Sequence, residues 1–125
     1  MNSVNRLVLI GRAGIDAELR YAPSGVAQAN FKLATSDFRT GPAGRKEVTE
    51  WHEVRVEGAL GYDANDPAKR ASLIVRKGSQ IYVEGRLSYR RAYDHSEAPL
   101  KAVVVAQRVE VLASPAAAPE APSKP

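Results

Sequence analysis

The sequence predicts an all-β domain: five strands rolled into a small barrel, one helix between the third and fourth, and a disordered C-terminal tail. Three observations predict it. Short segments alternate apolar and polar residues with a period of two, the pattern of a half-buried strand, and Gly- and Pro-containing breaks separate them. The segment from Asp66 to Gly78 carries the start and stop signals of a helix. Composition changes sharply after Leu112, beyond which Ala, Pro and Ser dominate and four of the eight prolines fall.

Taken in order, Val4 to Ile10 is short, apolar and β-branched, and ends at Gly11. Leu19 to Tyr21 leads into Ala22-Pro23-Ser24-Gly25, where Pro suits the second position of a turn and Gly the fourth. From Val26 to Thr35 the residues alternate, with Ala27, Ala29, Phe31 and Leu33 inward and Gln28, Asn30 and Lys32 outward. Gly41, Pro42 and Gly44, with Arg45 and Lys46, read as a flexible basic loop. Thr49 to Glu57 alternates again: Val54 and Val56 take one face, and Trp51, Glu53, Arg55 and Glu57 the other.

Asp66 is a good N-cap, Pro67 fits the first helical position, and Lys77-Gly78 is a natural stop. Ser79 to Glu84 is a strand with Ile81 and Val83 inward, Gly85 permits a sharp bend, and the strand resumes through Tyr89. Leu100 to Leu112 is the last strand. Three strands, a helix and two more strands is the order of the OB barrel. A ribosomal-type SH3 barrel or another small barrel competes with it. Residues 1–112 form the domain. Residues 113–125 form the tail, which has too little apolar surface to offset its ordering entropy.

The 125 residues, 44% hydrophobic and 26% charged, fit one globular domain. No cysteine is present, so thiolate metal sites and disulfides are excluded. No apolar run reaches the length of a membrane helix, and the apolar start is too short for a signal-peptide core; a cytoplasmic location is the expectation. Catalysis finds little support. The two histidines, His52 and His95, lie in different kinds of segment, and no nucleotide-binding or metal-ligand spacing occurs, so neither cofactor nor metal is expected. Gly11-Arg12-Ala13-Gly14 reads as a turn rather than a phosphate loop.

A net charge of +4 permits a polyanionic partner without demanding one. Its placement says more. Proteins that hold single strands combine a basic groove with aromatic faces on which bases stack. Trp51 stands on an otherwise polar strand face beside Arg55, with burial at a sheet edge or a subunit contact as the alternative reading. Phe38 stands at the mouth of a basic loop, where stacking and packing are equally open. Arg86, Tyr89, Arg90, Arg91 and Tyr93 interleave basic and aromatic residues before the last loop, which in an OB barrel borders the binding groove; a solvated hairpin is the competing reading. Glu53 and Glu57 share Trp51's face and would repel phosphates. His52 points away from that face.

With those residues in view, the chain resembles the bacterial single-stranded DNA-binding protein family. NRLVLIGRAG (5–14), ELRYAPSG (18–25), ANFKLATSD (29–37), TEWHEVRV (49–56) and RKGSQIYVEGRL (76–87) look like family blocks in family order. The resemblance implies an OB fold, a homo-oligomer (a tetramer, with a dimer as the alternative), nucleoid association, and single-stranded DNA wrapped by stacking and basic contacts. It places Trp51 at a stacking position, Phe38 near another, Lys77, Arg90 and Arg91 at basic positions, and His52 at a subunit interface. Lys32, Arg55 and Arg86 complete the candidate surface.

The sequence departs from the family in four places. Glu57 stands where an aromatic is usual, and Ala92 where a tryptophan often stands. The segment from Ala59 to Arg76 is longer than the family's. The chain ends Pro122-Ser123-Lys124-Pro125 without the acidic tip that recruits replication and repair proteins, as in a paralogue or a truncated chain. The function expected is therefore sequence-independent binding of single-stranded DNA in replication, recombination or repair. The competing function is that of a primosomal or conjugation-type OB protein that acts through protein partners, with weak DNA or RNA binding.

Overall fold

The computed structural model of the protein describes residues 2–58, 66–91 and 97–115. Among these residues the alternating segments become six strands, one more than the five expected. They are β1 (Leu7–Ala13), β2 (Glu18–Tyr21), β3 (Ala27–Gly41), β4 (Gly44–Glu57), β5 (Gln80–Arg91) and β6 (Leu100–Ala113), with α1 (Pro67–Ile74) between β4 and β5. The additional strand is β2. A tight turn, in which the Gly25 amide donates to the Ala22 carbonyl (2.8 Å) and the Ala22 amide to the Val26 carbonyl (2.9 Å), folds it back on β3. Its register runs from Glu18↔Asn30 to Tyr21↔Ala27. All four of its residues are exposed, so no apolar face marked it as a strand.

The strand order is β1-β5-β6-β4-β3-β2, and β1 also pairs with β3, at Arg12↔Ala34 and Ala13↔Leu33. The hydrogen-bonded path thus returns to its first strand. Gly11 lies within β1, not in a turn, and a Cβ there would sit 2.1 Å from the Ala34 carbonyl oxygen. Only glycine allows so close an approach.

The basic segment expected as a flexible loop is ordered strand almost to its tip. β3 and β4 stay paired to Gly41↔Gly44, so Pro42 and Ala43 alone make the reversal. Gly44 has φ 103°, the left-handed conformation that lets a tight turn feed the returning strand.

The residues assigned inward are inward. Phe31 and Leu33 of β3, Val54 of β4, and Ile81 and Val83 of β5 are each at most 2% exposed. Side chains of α1 lie against this core through Ala68 and Ala71. The Asp66 carboxylate accepts from the Ala68 (3.1 Å) and Lys69 (3.4 Å) amides, satisfying donors that the first turn leaves open. The helix ends at Ile74, short of the Lys77-Gly78 stop. Val75 is fully buried in extended conformation, and its carbonyl accepts from the Ala17 amide. β5 shifts register at Glu84/Gly85, where a Cβ on Gly85 would meet the Val105 carbonyl oxygen at 2.2 Å. Residues 59–65, 92–96 and 116–125, with most of the expected tail and Tyr93, lie outside the described residues.

Candidate nucleic-acid interface

Strand parity gives β3 and β4 one face turned away from Phe31 and Val54. Across it the register sets Asn30 opposite Arg55, Lys32 opposite Glu53, Ala34 opposite Trp51, Ser36 opposite Thr49 and Phe38 opposite Glu47. Trp51 is 59% exposed and Phe38 is 54% exposed on this face. Trp51 stands four residues along β4 from Glu47, the partner of Phe38, which is about 13 Å at strand rise. The ribbon between them is tied by a Ser36–Thr49 hydroxyl contact of 3.0 Å. Neither ring stands alone. The six-membered ring of Trp51 rests against Gly14, where a Cβ would lie 2.5 Å from Cζ3. The Arg45 guanidinium lies 4.3 Å from the Phe38 ring centroid, a cation–π contact.

The same face continues into a cleft of about 380 Å³ between β2, β3, β4 and the ends of β5 and β6. Arg20, Lys32, Arg55, Arg90, Arg91 and Lys101 line it, with Glu18 and Glu53. Arg55 is only 7% exposed and donates from Nε to Asn30 Oδ1 (3.2 Å), so it charges the cleft from below rather than reaching into solvent. Arg90 donates from Nε to the Ser88 hydroxyl (2.9 Å) and from Nη1 to Glu57 Oε2 (3.0 Å). Arg91 donates to the Ala98 carbonyl. Two of the carboxylates are paired with cations, Glu57 with Arg90 at 3.0 Å and Glu18 with Arg20 at 3.8 Å, while Glu53 stands opposite Lys32 in the β3–β4 register. In the free protein the Glu57 charge is thus countered by Arg90.

The structure gathers Trp51, Phe38, Lys32, Arg55, Arg90 and Arg91 on one continuous surface and sets the other candidates apart. Lys77 is exposed on the link between α1 and β5, its amide donating to Asp16 Oδ1 (2.8 Å). Tyr89 is 65% exposed and Arg86 is half-buried on β5 opposite Val105, and neither lines the cleft. His52 is half-buried, its Nε2 2.8 Å from the Thr35 hydroxyl. Tyr82, a β5 aromatic outside that candidate set, stands between Ile10 of β1 and Glu110 of β6. Its hydroxyl donates to Glu84 Oε1 (3.0 Å), and that bond, with desolvation and the adjacent negative charge, moves its pKa up. Arg20 and Lys101 also line the cleft, though nothing in their local sequence points to them. Each sits on the cleft only through pairing that local sequence does not reveal.

A sequence model of the single-strand binding protein family matches residues 4–112. Two crystal structures of the single-stranded DNA binding protein from Thermus aquaticus, one wild-type and one a deletion mutant, superpose with TM-scores of 0.67 and 0.68. Each is 32% identical over 87% of this chain and 50% of that one, so the chain spans about half the length of those relatives. The Plasmodium falciparum SSB, solved in complex with ssDNA, is 26% identical over 91% of this chain and 97% of its own, with a TM-score of 0.67.

Proposed function

This chain belongs to the single-strand binding protein family, and on that footing we propose that it binds single-stranded DNA independently of sequence, as a homo-oligomer, with no chemical step. One observation carries the reading: exposed Trp51 and Phe38 share one unbroken face with the cationic cleft around Arg90, Arg91 and Lys101. Aromatic faces accept any base, and cations neutralise any phosphate, so this combination grips a strand without reading it.

The closed path β1-β5-β6-β4-β3 is consistent with an OB barrel to which β2 is an added strand. The strand enters along the β3–β4 ribbon and leaves through the cleft. Oligomerisation is supported by Val8 and Ile10, which are each 51% exposed on neighbouring outward positions of β1. The binding domain extends to Ala113, one residue past the expected boundary, because Ala113 pairs with Gln80 as the last residue of β6. The cellular role that follows is protection of exposed strands during replication, recombination or repair, at the nucleoid.

The test is fluorescence anisotropy of labelled oligo-dT and of a duplex of equal length, on protein whose mass is fixed by light scattering. Saturable binding of the single strand that weakens with salt, with the duplex bound poorly and the protein multimeric, supports the proposal. Equal affinity for both nucleic acids, or none for either, overturns it.

A further inference from the structure

We propose that Glu57 is an internal competitor for phosphate: its carboxylate occupies Arg90 in the free protein and must yield that guanidinium to the strand. The proposal rests on the reading above and adds a residue that sets affinity and salt response. Glu57 Oε2 lies 3.0 Å from Arg90 Nη1, and the two side chains are 32% and 27% exposed. They come from β4 and β5, and Arg90 lines the cleft together with Arg91 and Lys101.

A carboxylate and a phosphate present the same feature to a guanidinium, an anionic pair of acceptor oxygens on one edge. The Ser88 hydroxyl accepts from Nε of Arg90 and fixes the orientation of the planar group. Nη1 of the group so oriented donates to a single oxygen of Glu57. A strand reaching Arg90 exchanges one anion for another, so this contact releases less counterion than a vacant arginine would. Glu57 also adds a negative charge on the face along which the strand must lie. Both effects weaken binding and flatten its salt dependence.

The experiment titrates labelled oligo-dT with wild-type protein, Glu57→Gln, Arg90→Gln and the double variant across a series of salt concentrations. The Gln side chain keeps the shape of Glu and a hydrogen-bond acceptor but no charge, so the fold is not at risk at this half-exposed position. Glu57→Gln is expected to bind about threefold more tightly at low salt, from a partly exposed ion pair. The plot of log K against log salt is expected to steepen by about 0.7, one additional phosphate neutralised. In the Arg90→Gln background the same change should give a smaller gain and no steepening. A merely structural Glu57 would leave the slope untouched.

Wild-type binding with an unchanged slope and affinity in Glu57→Gln, or a full gain that persists without Arg90, overturns this proposal alone. Failure of wild type and Glu57→Gln alike to bind overturns the function on which it rests.

Discussion

The indole of Trp51 rests directly on Gly14: a Cβ at that glycine would lie 2.5 Å from Cζ3 and 2.9 Å from Cη2 of the ring. Gly14 follows the last residue of β1, and its amide donates to the Lys32 carbonyl (2.8 Å), which ties this small platform to β3. A side chain 59% exposed would ordinarily sample several rotamers; here bare backbone fixes one side of it.

Gly14→Ala should therefore displace the ring without straining the backbone, because Gly14 is not among the glycines of positive φ. Part of a stacking contact is lost, about 1 kcal/mol or fivefold in affinity for oligo-dT. A shifted Trp51 emission maximum in the free protein, alongside unchanged urea stability, would identify repositioning as the cause.

Lys32→Ala and Lys101→Ala act differently from changes at the rings. Each removes a cation from the cleft and should lower the slope of log K against log salt by about 0.7. Affinity measured at four or more salt concentrations checks this. Phe38→Ala should weaken binding at every salt concentration and leave the slope nearly unchanged, since stacking releases no counterions.

Asp66→Ala removes the acceptor of the Ala68 and Lys69 amides at the start of α1. Urea denaturation should show a loss of about 1 kcal/mol. Phe31→Ala, at 2% exposure the largest of the fully buried side chains, should cost about 3–5 kcal/mol. Near-wild-type stability in the Phe31 variant would contradict the assigned core.

The core was legible because one buried face forces a period of two. Ala27, Ala29, Phe31 and Leu33 announce themselves, and Trp51 is conspicuous for breaking the polar side of the same pattern. β2 was not legible, since Glu18 to Tyr21 is exposed throughout and exists as a strand only through its pairing with β3. The outer half of the β3–β4 ribbon was hidden for the same reason: from Asp37 to Gly41 every residue is exposed. Within the site, parity placed Arg55 beside Trp51 but could not reveal its withdrawal to Asn30. The Glu57–Arg90 pair joins residues 33 apart in sequence, so strand parity alone does not reveal it.

The central claim is that Trp51 lies in the path of the strand. It is the only tryptophan in the chain, so intrinsic fluorescence reports on this position alone. Titration with oligo-dT should quench the emission saturably, and added salt should restore it; Trp51→Ala should bind roughly 5- to 150-fold more weakly. Full binding without quenching, or unchanged affinity in Trp51→Ala, would contradict the claim.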